Sequence, residues 1–575
     1  MKFRWSLAPA QPLLAGQLAQ QLRLPPLLAQ CLLNRGLSDA AIINPFLEPR
    51  LKHLADPFLL PNMQTAVERL FQAREAKEGL VIFGDYDVDG VTSTALLLEV
   101  FQALGWSVNA YLPHRMDEGY GLTDDAVDNC LEKFPTKLLL AVDCGSSSAK
   151  VIDRLKRQGV DVIVLDHHQV GSPQPEALAL VNPQLSVGSN GAAAQFTELC
   201  SAGLAFKLAH ALVKRGRETG LAAAADFDLR PLLDFVALGT IADIVPLSGE
   251  NRILVATGLE RLNRTQRPGL VALKRVAQGP PQLGTHEIGF QLAPRLNAAG
   301  RLETAEDALN LLRAKHLGDA MPLALKLDAH NRERRNIERT IATEAIAGVR
   351  SKFDPEKDFV IVEGQAPWHI GVVGIVAARV LQQFYRPTII VGGDGGQWRG
   401  SGRSIAGFDL AAALRECGDL LLRHGGHAMA AGVTFATTNL EALRERLNEI
   451  GKRALKTEEL QAPLRLDAEV GLDEITMPFL GDLNRLRPCG QGNPTVQFCS
   501  RKLTHQRPLQ RMGANKQHVR MWLTDGTHSH EAVWWGAGEE SLPVGHFDVA
   551  FAPQIDDYNG RRNIQLKVLD WRTAT

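Results

Sequence analysis

Aspartates occupy every second position between residues 85 and 89, and this stretch limits the choice of folds more than any other. It follows the apolar run Leu80–Phe83, which predicts a buried strand ending in a glycine turn. On an extended backbone alternate side chains share one side, so Asp85, Asp87 and Asp89 are expected to converge. Converging carboxylates repel unless a cation lies between them, and a divalent metal is the usual one. The alternative is a solvated acidic loop that caps a helix beginning at Thr92.

Two further apolar runs end in groups that can bind a metal. The run Lys137–Val142 leads into Asp143, and the run Gly159–Leu165 leads into the triplet Asp166–His168. In an open parallel sheet, ligands bind in the crevice outside the carboxyl ends of the strands. The three predicted strand ends therefore point to one site. Carboxylates with a minority of imidazoles suit Mg²⁺ or Mn²⁺.

A fourth acidic position, Asp243, ends the apolar stretch that begins at Asp234. Pro246 stops any helix from continuing far beyond it. An isolated buried carboxylate is costly, so an aspartate among apolar neighbours is expected to have a partner. Asp243 is thus a further candidate ligand, with the capping of a turn as an equal alternative.

Together these segments resemble the four motifs of the DHH phosphoesterase superfamily, in the order in which that superfamily carries them. The matching segments are residues 85–90, 143–145, 166–168 and 239–243. Within the superfamily the chain is similar to the single-strand-specific DNA exonucleases. Residues 295–302, 400–405 and 424–432 are similar to the core and to the DHHA1 domain of those enzymes. The resemblance covers nearly the whole chain.

The resemblance implies metal-assisted hydrolysis of single-stranded DNA from the 5′ end to mononucleotides, in DNA repair and recombination. One or two Mn²⁺ or Mg²⁺ ions would be held by Asp85, Asp87, Asp89, Asp143, His168 and Asp243. Asp143 is the candidate bridge, and His167 is either a ligand or a group that orients His168. Arg301 would stabilise charge on the phosphoryl oxygens. The catalytic set so implied is Asp87, Asp89, Asp143, His167, His168, Asp243 and Arg301.

Substrate recognition is expected in glycine-rich segments of the downstream half. Such segments let backbone amides approach an anion closely, and arginine forms paired bonds with phosphate. The alternative is a set of ordinary tight turns with incidental arginines. The resemblance places the pocket for the 5′ phosphate at Arg115, Ser401 and Arg403. The further substrate-binding candidates are Arg295, Asn297 and His427.

The expected fold class is two α/β domains, joined by a helical connector and followed by an OB-fold-like β-barrel. Strand–helix alternation from Leu80 to about Leu247 predicts a parallel sheet with helices on both faces. In the helical stretch that follows, the charged run 331–339 predicts a solvated helix face, or the border of a DNA channel. The predicted domains are an N-terminal helical leader (1–60), a DHH catalytic domain (61–250), a helical connector (251–355), a DHHA1 substrate-binding domain (356–455) and an OB-fold-like nucleic-acid-binding domain (463–575).

Short alternating strands beyond Pro463 predict the C-terminal barrel. An OB-type barrel holds a single strand by stacking bases on aromatic rings and by placing cations along the phosphates. About half of its aromatic side chains are expected in the core. The nucleic-acid-binding candidates are Trp522, Arg520, Lys516, Tyr558 and Arg561.

The composition is that of an ordinary globular protein, with 45% hydrophobic and 22% charged residues. A net charge of −1 neither supports nor excludes binding to nucleic acid. Seven scattered cysteines without a Cys-x-x-Cys pair argue against a zinc ribbon or a disulfide framework. Since neither a secretory signal nor a membrane-spanning run is evident, the expected location is the cytoplasm.

The resemblance implies single-stranded DNA with a 5′ end as substrate, and a single-strand-binding protein and a RecQ-type helicase as partners. One alternative is a DHH phosphodiesterase for short oligonucleotides, cyclic dinucleotides or pyrophosphate. The C-terminal barrel favours a polymer instead, and Phe83 stands where the pyrophosphatase branch has a metal-binding histidine. The other alternative is an inactive DNA-binding scaffold, which the four intact motifs oppose.

Overall fold

The computed structural model describes residues 3–115, 117–186, 195–302, 304–393, 396–557 and 562–574, with the backbone alone at 301 and 302. The chain divides into two compact units, each built from segments that are distant in sequence. The N-terminal unit contains residues 13–331 and 481–495, and the C-terminal unit contains residues 1–12, 332–480 and 496–575. No helix among the described residues is both long and apolar enough to cross a membrane.

The chain begins with a strand rather than with a helix. Strand β1 (Arg4–Leu7) pairs in parallel with residues 463–466 of the same C-terminal unit. Trp5 Nε1 donates a hydrogen bond to Asp570 Oδ2 at 2.9 Å. The prediction of a helical leader is wrong for these residues, because their partners lie near the other end of the sequence. The helices that follow are α1 (Pro12–Leu22), α2 (Pro26–Leu33) and α3 (Ala40–Leu47).

A parallel sheet with helices on both faces forms the next part of the N-terminal unit, as predicted. In chain order its elements are α4 (Met63–Glu75), β2 (Leu80–Phe83), α5 (Val88–Ala103), β3 (Val108–Tyr111), α6 (Asp124–Lys133), β4 (Leu138–Val142), α7 (Ala149–Arg157), β5 (Asp161–Leu165) and β6 (Ala179–Val181). The spatial order of the described strands is β3-β2-β4-β5-β6. Because side chains alternate along β2, Leu80 and Ile82 pack with α4 and α5, whereas Val81 and Phe83 pack with α6 and α7.

A helical stretch follows the sheet, as predicted. In chain order its helices are α8 (Ser201–Glu218), α9 (Ala222–Ala225), α10 (Leu233–Ala242), α11 (Gly249–Arg264), α12 (Pro268–Ala277), α13 (Thr285–Glu287), α14 (Ala293–Leu302), α15 (Glu306–Arg313) and α16 (Leu317–Arg350). A π-helical turn, Ile288–Leu292, joins α13 to α14. Helix α5 packs against both α8 and α10, so these helices bury the apolar residues that precede Asp243.

A second α/β domain lies in the C-terminal unit, also as predicted. Its elements are β7 (Ile361–Gly364), α17 (Val373–Phe384), β8 (Thr388–Gly392), β9 (Gln397–Arg403), α18 (Leu410–Glu416), β10 (Arg423–His427), β11 (Ala430–Ala436) and α19 (Leu440–Ala454). The described strands are ordered β10-β11-β9-β8-β7. Only β7 and β8 of these pair in parallel, so the sheet is mixed.

The charged run of α16 is not a solvated face throughout, contrary to the prediction. Arg334 and Glu338 are buried and form an ion pair at 2.8 Å. Arg379 of α17 reaches the same Glu338 carboxylate at 2.5 Å. Helix α17 packs along this half of α16, with Ile341 and Val376 in one hydrophobic cluster. The charge pattern alone could not show that a second helix would cover it.

The strands that follow β12 (Pro463–Leu466), the partner of β1, form the predicted C-terminal barrel. They are accompanied by one short helix and follow the order β13 (Ala468–Glu469), α20 (Met477–Leu483), β14 (Phe498–His505), β15 (Gln510–Met512), β16 (His518–Thr524), β17 (Ser529–Trp534), β18 (Phe547–Asp556) and β19 (Asn563–Thr573). The sheet runs β14-β18-β19-β17-β16, and β16 pairs back onto β14. This last pairing closes the ring of strands.

Candidate metal centre

Three neighbouring strands bring acidic and imidazole groups to one edge of the parallel sheet. Because β2, β4 and β5 are adjacent and parallel, the residues after them meet at the carboxyl edge, as predicted. Asp243 arrives from the C-terminal end of α10. The possible ligand atoms within 4.8 Å of one another form three overlapping groups: Asp85, Asp87 and Asp143; Asp89, His167 and Asp243; and Asp143, His167 and His168.

The acidic stretch starts a helix instead of continuing the strand. Helix α5 begins at Val88, and Asp87 is its N-cap residue, whose carboxylate accepts a hydrogen bond from Gly90 N at 3.1 Å. The capping alternative is therefore confirmed for Asp87, although the helix starts earlier than Thr92. Asp87 stays within ligand distance of Asp85, so capping and metal binding do not exclude each other.

Asp89 belongs to a different group of ligands from Asp85 and Asp87. It lies in the first turn of α5, where its oxygens accept hydrogen bonds from Ser201 N and Ala202 N at 2.7 and 2.8 Å. These residues begin α8, and the N-terminus of a helix favours a negative charge. The three aspartates do converge around Asp143, as expected, but the start of a helix brings them together rather than an extended backbone.

Asp143 takes part in two of the three groups and is buried. Its φ of 65° lies in the left-handed region, which residues other than glycine rarely adopt. Ser201 Oγ donates a hydrogen bond to its Oδ1 at 2.8 Å. Backbone strain of this kind persists where the surroundings enforce it, and it is concentrated at functional sites. The position suits the expected bridging role.

Asp166 holds the two histidines that follow it, a role that the sequence analysis did not assign. Its Oδ1 accepts hydrogen bonds from His167 N at 2.8 Å and His168 N at 3.2 Å. The same oxygen lies 2.7 Å from His168 Nδ1. Its other oxygen accepts a bond from Ser146 N at 3.0 Å. Although burial opposes ionisation, these bonds keep the pKa of Asp166 below its usual value.

His167 rather than His168 points into the carboxylates. Its Nε2 lies 3.5 Å from Asp143 Oδ1, 3.5 Å from Asp243 Oδ2 and 3.9 Å from Asp89 Oδ2. His168 Nδ1, by contrast, lies 4.0 Å from Asp143. Burial lowers the pKa of His167 to about 4, so the ring is neutral and can offer a lone pair. Of its two expected roles, the geometry favours that of a ligand.

Burial makes this group of carboxylates unfavourable without a cation. Burial and the charge of Asp87 raise the pKa of Asp85, and they raise the pKa of Asp89 to about 6. Burial and the charge of Asp89 raise the pKa of Asp143, and they raise the pKa of Asp243 to about 8. Each carboxylate therefore needs either a proton or a neighbouring positive charge.

Two buried atoms indicate that a metal cation, rather than protons, compensates the carboxylates. Among the described residues, Asp85 Oδ1 and His167 Nε2 are buried without a hydrogen-bond partner. Since buried polar atoms are almost always paired, ions bound at the ligand groups that contain these two residues would satisfy both atoms. Carboxylate oxygens with an imidazole nitrogen are suitable ligands for Mn²⁺ or Mg²⁺. The residues therefore fit the expected metal.

Helix α14 supports the start of α5. Asn297 Oδ1 accepts a hydrogen bond from Val88 N at 3.1 Å. A Cβ added at Gly300 would lie 2.8 Å from Tyr86 O, so only glycine allows this close approach. Arg295 donates to Asp328 Oδ1 at 2.9 Å and thereby joins α14 to α16. Asn297 and Arg295 thus have positioning contacts besides their expected role with substrate. The side chain of Arg301 lies outside the described residues.

Two tyrosines lie beside the metal ligands, and neither was singled out from the sequence. The guanidinium of Arg115 is 5.1 Å from the ring centre of Tyr86. Tyr120 packs edge-on against Tyr86 at 6.2 Å, and its hydroxyl lies 3.2 Å from His168 Nε2. Arg115 therefore reaches this cluster, where its charge favours the ionised form of Asp85.

In the C-terminal unit, Ser401, Arg403 and His427 lie on one face of the mixed sheet. Arg403 is opposite Ala430 of β11, which is opposite His427 of β10, and directly paired residues share a face. Arg403 Nη1 donates to Ser401 Oγ at 2.8 Å. Gly432 of β11 lies opposite Ser401, and Gly425 of β10 lies opposite Gly432. The face therefore exposes glycine backbone beside the guanidinium of Arg403, and this arrangement suits an anion.

In the barrel, two arginines approach the ring of Trp522. The guanidinium groups of Arg507 and Arg520 are 5.3 and 5.8 Å from its ring centre. Lys516 is exposed. Trp534 and Phe551 are core residues, whereas Trp535 is half-exposed, as expected of a barrel that divides its aromatic residues between core and surface. Tyr558 and Arg561 lie outside the described residues.

Comparison with protein families gives three matching models that follow one another along the chain. The N-terminal domain of the DHH family matches residues 79–240, and the DHHA1 domain matches residues 357–453. The RecJ OB domain matches residues 466–570, which confirms the predicted OB-fold.

Curated relatives match almost the full length. The single-stranded-DNA-specific exonuclease RecJ of Bacillus subtilis is 37% identical over 99% of this chain and 71% of its own length. RecJ of Escherichia coli is 34% identical over 94% of this chain and 95% of its own length. The crystal structure of Thermus thermophilus RecJ in complex with Mn²⁺ superposes with a TM-score of 0.84 at 29% identity, covering 100% of this chain and 80% of that one.

Proposed function

Because the chain belongs to the RecJ family of single-stranded-DNA-specific exonucleases, we propose that it hydrolyses single-stranded DNA with Mn²⁺ or Mg²⁺ bound at the carboxylate–histidine cluster. The observation that carries this proposal is the pair of buried ligand atoms, Asp85 Oδ1 and His167 Nε2, which have no hydrogen-bond partner among the described residues. The proposed ligands are Asp85, Asp87, Asp89, Asp143, His167, His168 and Asp243.

Neighbouring side chains hold these ligands in place. When bound, the ions lower the pKa of a coordinated water and neutralise charge on the phosphate. Ser201 holds Asp143, which is shared between ligand groups, through its hydroxyl. Asp166 fixes the ring of His168 by its contact to Nδ1. Such hydrogen bonds to metal ligands fix the orientation of the ligand side chains. Arg301 is assigned to the phosphoryl oxygens.

We assign the preference for the 5′ end of the strand to side chains that bind its terminal phosphate. In the C-terminal unit, Arg403 and Ser401 provide a charged donor and a hydroxyl beside exposed glycine backbone, with His427 on the same face. In the N-terminal unit, Arg115 is assigned to the DNA backbone next to the metal ligands. Charge-assisted bonds of arginine to phosphate are strong enough to select a terminal phosphate over a hydroxyl.

We assign to the barrel the binding of the single strand at a distance from the cleaved end. Trp522 offers a ring for base stacking, and Arg520 and Lys516 offer charges for phosphates. The proposal includes mononucleotide products, a role in DNA repair and recombination, and partnership with a single-strand-binding protein and a RecQ-type helicase. It places the protein in the cytoplasm, where reduced thiols persist, and none of the seven cysteines, each in a described segment, forms a disulfide.

The proposal is tested by digesting 5′-labelled, 3′-labelled and 5′-blocked single strands with Mn²⁺. Wild type is compared with Asp143→Ala and with Asp153→Ala, which removes an exposed carboxylate on α7. We expect mononucleotides from the 5′ end with wild type and Asp153→Ala, and none with Asp143→Ala, EDTA or blunt duplex. Binding without cleavage by wild type would instead identify a scaffold, and cleavage of two- or three-nucleotide substrates alone would identify a small-substrate phosphodiesterase.

A further inference from the structure

A segment that lies in sequence between two strands of the barrel packs against the loop that follows Asp243. Residues 485–494, called the strap below, lie in sequence between α20 and β14. The segments on either side of it, residues 332–480 and 496–575, belong to the C-terminal unit, but the strap itself belongs to the N-terminal unit. A segment that leaves its sequence neighbours in this way needs specific contacts to hold it.

One buried arginine anchors the start of the strap. Arg252 of α11 is 1% exposed, and its guanidinium lies 3.8 Å from the ring centre of Phe46. It donates to Phe46 O at 2.6 Å and to four successive carbonyls of the strap, those of Arg485, Leu486, Arg487 and Pro488, at 2.8 to 3.2 Å. A buried charge must keep its hydrogen bonds, so these contacts fix the strap on α11.

The strap then meets the loop that follows Asp243. Leu247 N donates a hydrogen bond to Gln491 O at 2.7 Å. A Cβ added at Gly492, which has a φ of +71°, would lie 2.9 Å from Pro246 Cβ. A Cβ added at Gly490 would lie 2.8 Å from Leu247 Cδ1. The two glycines therefore allow the strap to lie directly against residues 246 and 247.

The loop braced in this way carries backbone strain next to a proposed ligand. Ile244, directly after Asp243, has a φ of 62°, a conformation that is unfavourable for a β-branched side chain. Its side chain is 70% exposed, so local packing does not compensate for the strain. Asn251 of α11 also contacts this loop, because its Nδ2 donates a hydrogen bond to Pro246 O at 3.0 Å. Strain persists only where the surroundings enforce it, and here the surroundings include the strap.

We propose that the strap is a positioning element for the metal centre, with Gly490 and Gly492 as positioning residues that hold Asp243 through Pro246 and Leu247. This inference rests on the proposed function, since it takes Asp243 as a metal ligand. It makes metal affinity at the DHH sheet depend on a sequence within the residues that match the RecJ OB domain.

The test measures Mn²⁺ binding to the metal-free full-length chain by calorimetry, with thermal unfolding measured in parallel. Gly492→Ala is compared with Gly220→Ala. Gly220 has a φ of +73°, and among the described residues no atom lies within 4 Å of a Cβ added there. Both variants place an alanine at a positive φ, but only the Cβ of Gly492→Ala would clash with Pro246. We expect about tenfold weaker Mn²⁺ binding for Gly492→Ala and wild-type affinity for Gly220→Ala.

A second readout separates positioning from general damage. For Gly492→Ala we expect kcat to recover at saturating Mn²⁺ with an unchanged KM for DNA. If that variant does not fold, Thr285→Val replaces it, because Thr285 Oγ1 donates to Cys489 O of the strap at 2.6 Å, and Thr285→Ser should restore the affinity. Equal Mn²⁺ affinity in wild type and the strap variants would overturn the inference alone. A wild type that binds no Mn²⁺ would overturn the proposed function as well.

Discussion

Asp166 gives two adjacent histidines different properties. Its carboxylate holds His168 Nδ1 at 2.7 Å, and although burial opposes the charge, this contact raises the pKa of His168 to about 9. His167 has no such contact to its ring among the described residues, and burial lowers its pKa to about 4. Without a bound metal ion, His168 is therefore a cation at neutral pH and His167 a neutral base, and an ion bound by His168 would replace its proton. The motif is visible in sequence, but this division of roles depends on side-chain geometry.

The stability of the metal-free protein should fall as pH rises from about 6.5 to about 9. The folded-state pKa is raised to about 8 for Asp243 and to about 9 for His168, well above the unfolded values. In this range the folded state binds more protons than the unfolded state, so the free energy of unfolding decreases by up to about 1.4 kcal/mol per pH unit for each extra proton. Thermal melts in EDTA across this range measure the effect.

Saturating Mn²⁺ should reverse that trend, because the ion replaces the protons. The difference in Tm between the Mn²⁺ and EDTA samples should therefore grow with pH. Asp243→Asn is the matched variant, since its amide does not titrate, and it should reduce the slope seen in EDTA. A Tm difference that stays constant from pH 6.5 to 9 would contradict this account of the cluster.

At the scale of elements, the close contact of α14 with the start of α5 should be necessary for metal binding. Gly300→Ala places a Cβ 2.8 Å from Tyr86 O, a backbone atom that cannot rotate away. We expect a loss of about 1 to 3 kcal/mol in stability and about tenfold in Mn²⁺ affinity. Chemical denaturation and Mn²⁺ titration measure the two effects.

Gly318→Ala in α16 is the control for helix propensity. Among the described residues no atom lies within 4 Å of a Cβ added at Gly318, so this change should be neutral or stabilise by up to about 1 kcal/mol. If Gly300→Ala behaved in the same way, α14 would not support the metal ligands.

The elements themselves differ in how far the sequence could predict them. Strands β2, β4 and β5 have continuous apolar runs with polar groups directly after them, so both their positions and their common edge followed from local pattern. The early start of α5 did not, because besides the local cap of Asp87 its first residue bonds to Asn297, about two hundred residues further on. The strap carries no periodic pattern, and its role depends on where the rest of the chain lies. Local signals predict elements, whereas contacts between distant segments decide how the site is held.

At the scale of the whole molecule, the metal ligands belong to one unit, whereas two of the three residues assigned to the 5′ phosphate belong to the other. The carboxylates and histidines lie in the N-terminal unit, and Ser401 and Arg403 lie in the C-terminal unit. Each unit has its own sheet and its own hydrophobic clusters. Since a binding site is held by the packing around it, a substitution in one unit should leave the chemistry of the other intact.

Two variants should therefore separate metal binding from recognition of the DNA end. Asp143→Asn should abolish tight Mn²⁺ binding and cleavage but retain affinity for single strands. Arg403→Ala should retain Mn²⁺ affinity and lose about ten- to hundredfold in kcat/KM on 5′-phosphorylated strands, because it removes charge-assisted bonds to phosphate. Arg415→Ala changes an exposed arginine on α18 of the same domain and should behave like wild type.

Comparing 5′-phosphate with 5′-hydroxyl oligonucleotides tests the pocket for the DNA end alone. Wild type should prefer the phosphate, and Arg403→Ala should not. An Arg403→Ala enzyme that kept this preference would show that the 5′ phosphate is recognised elsewhere.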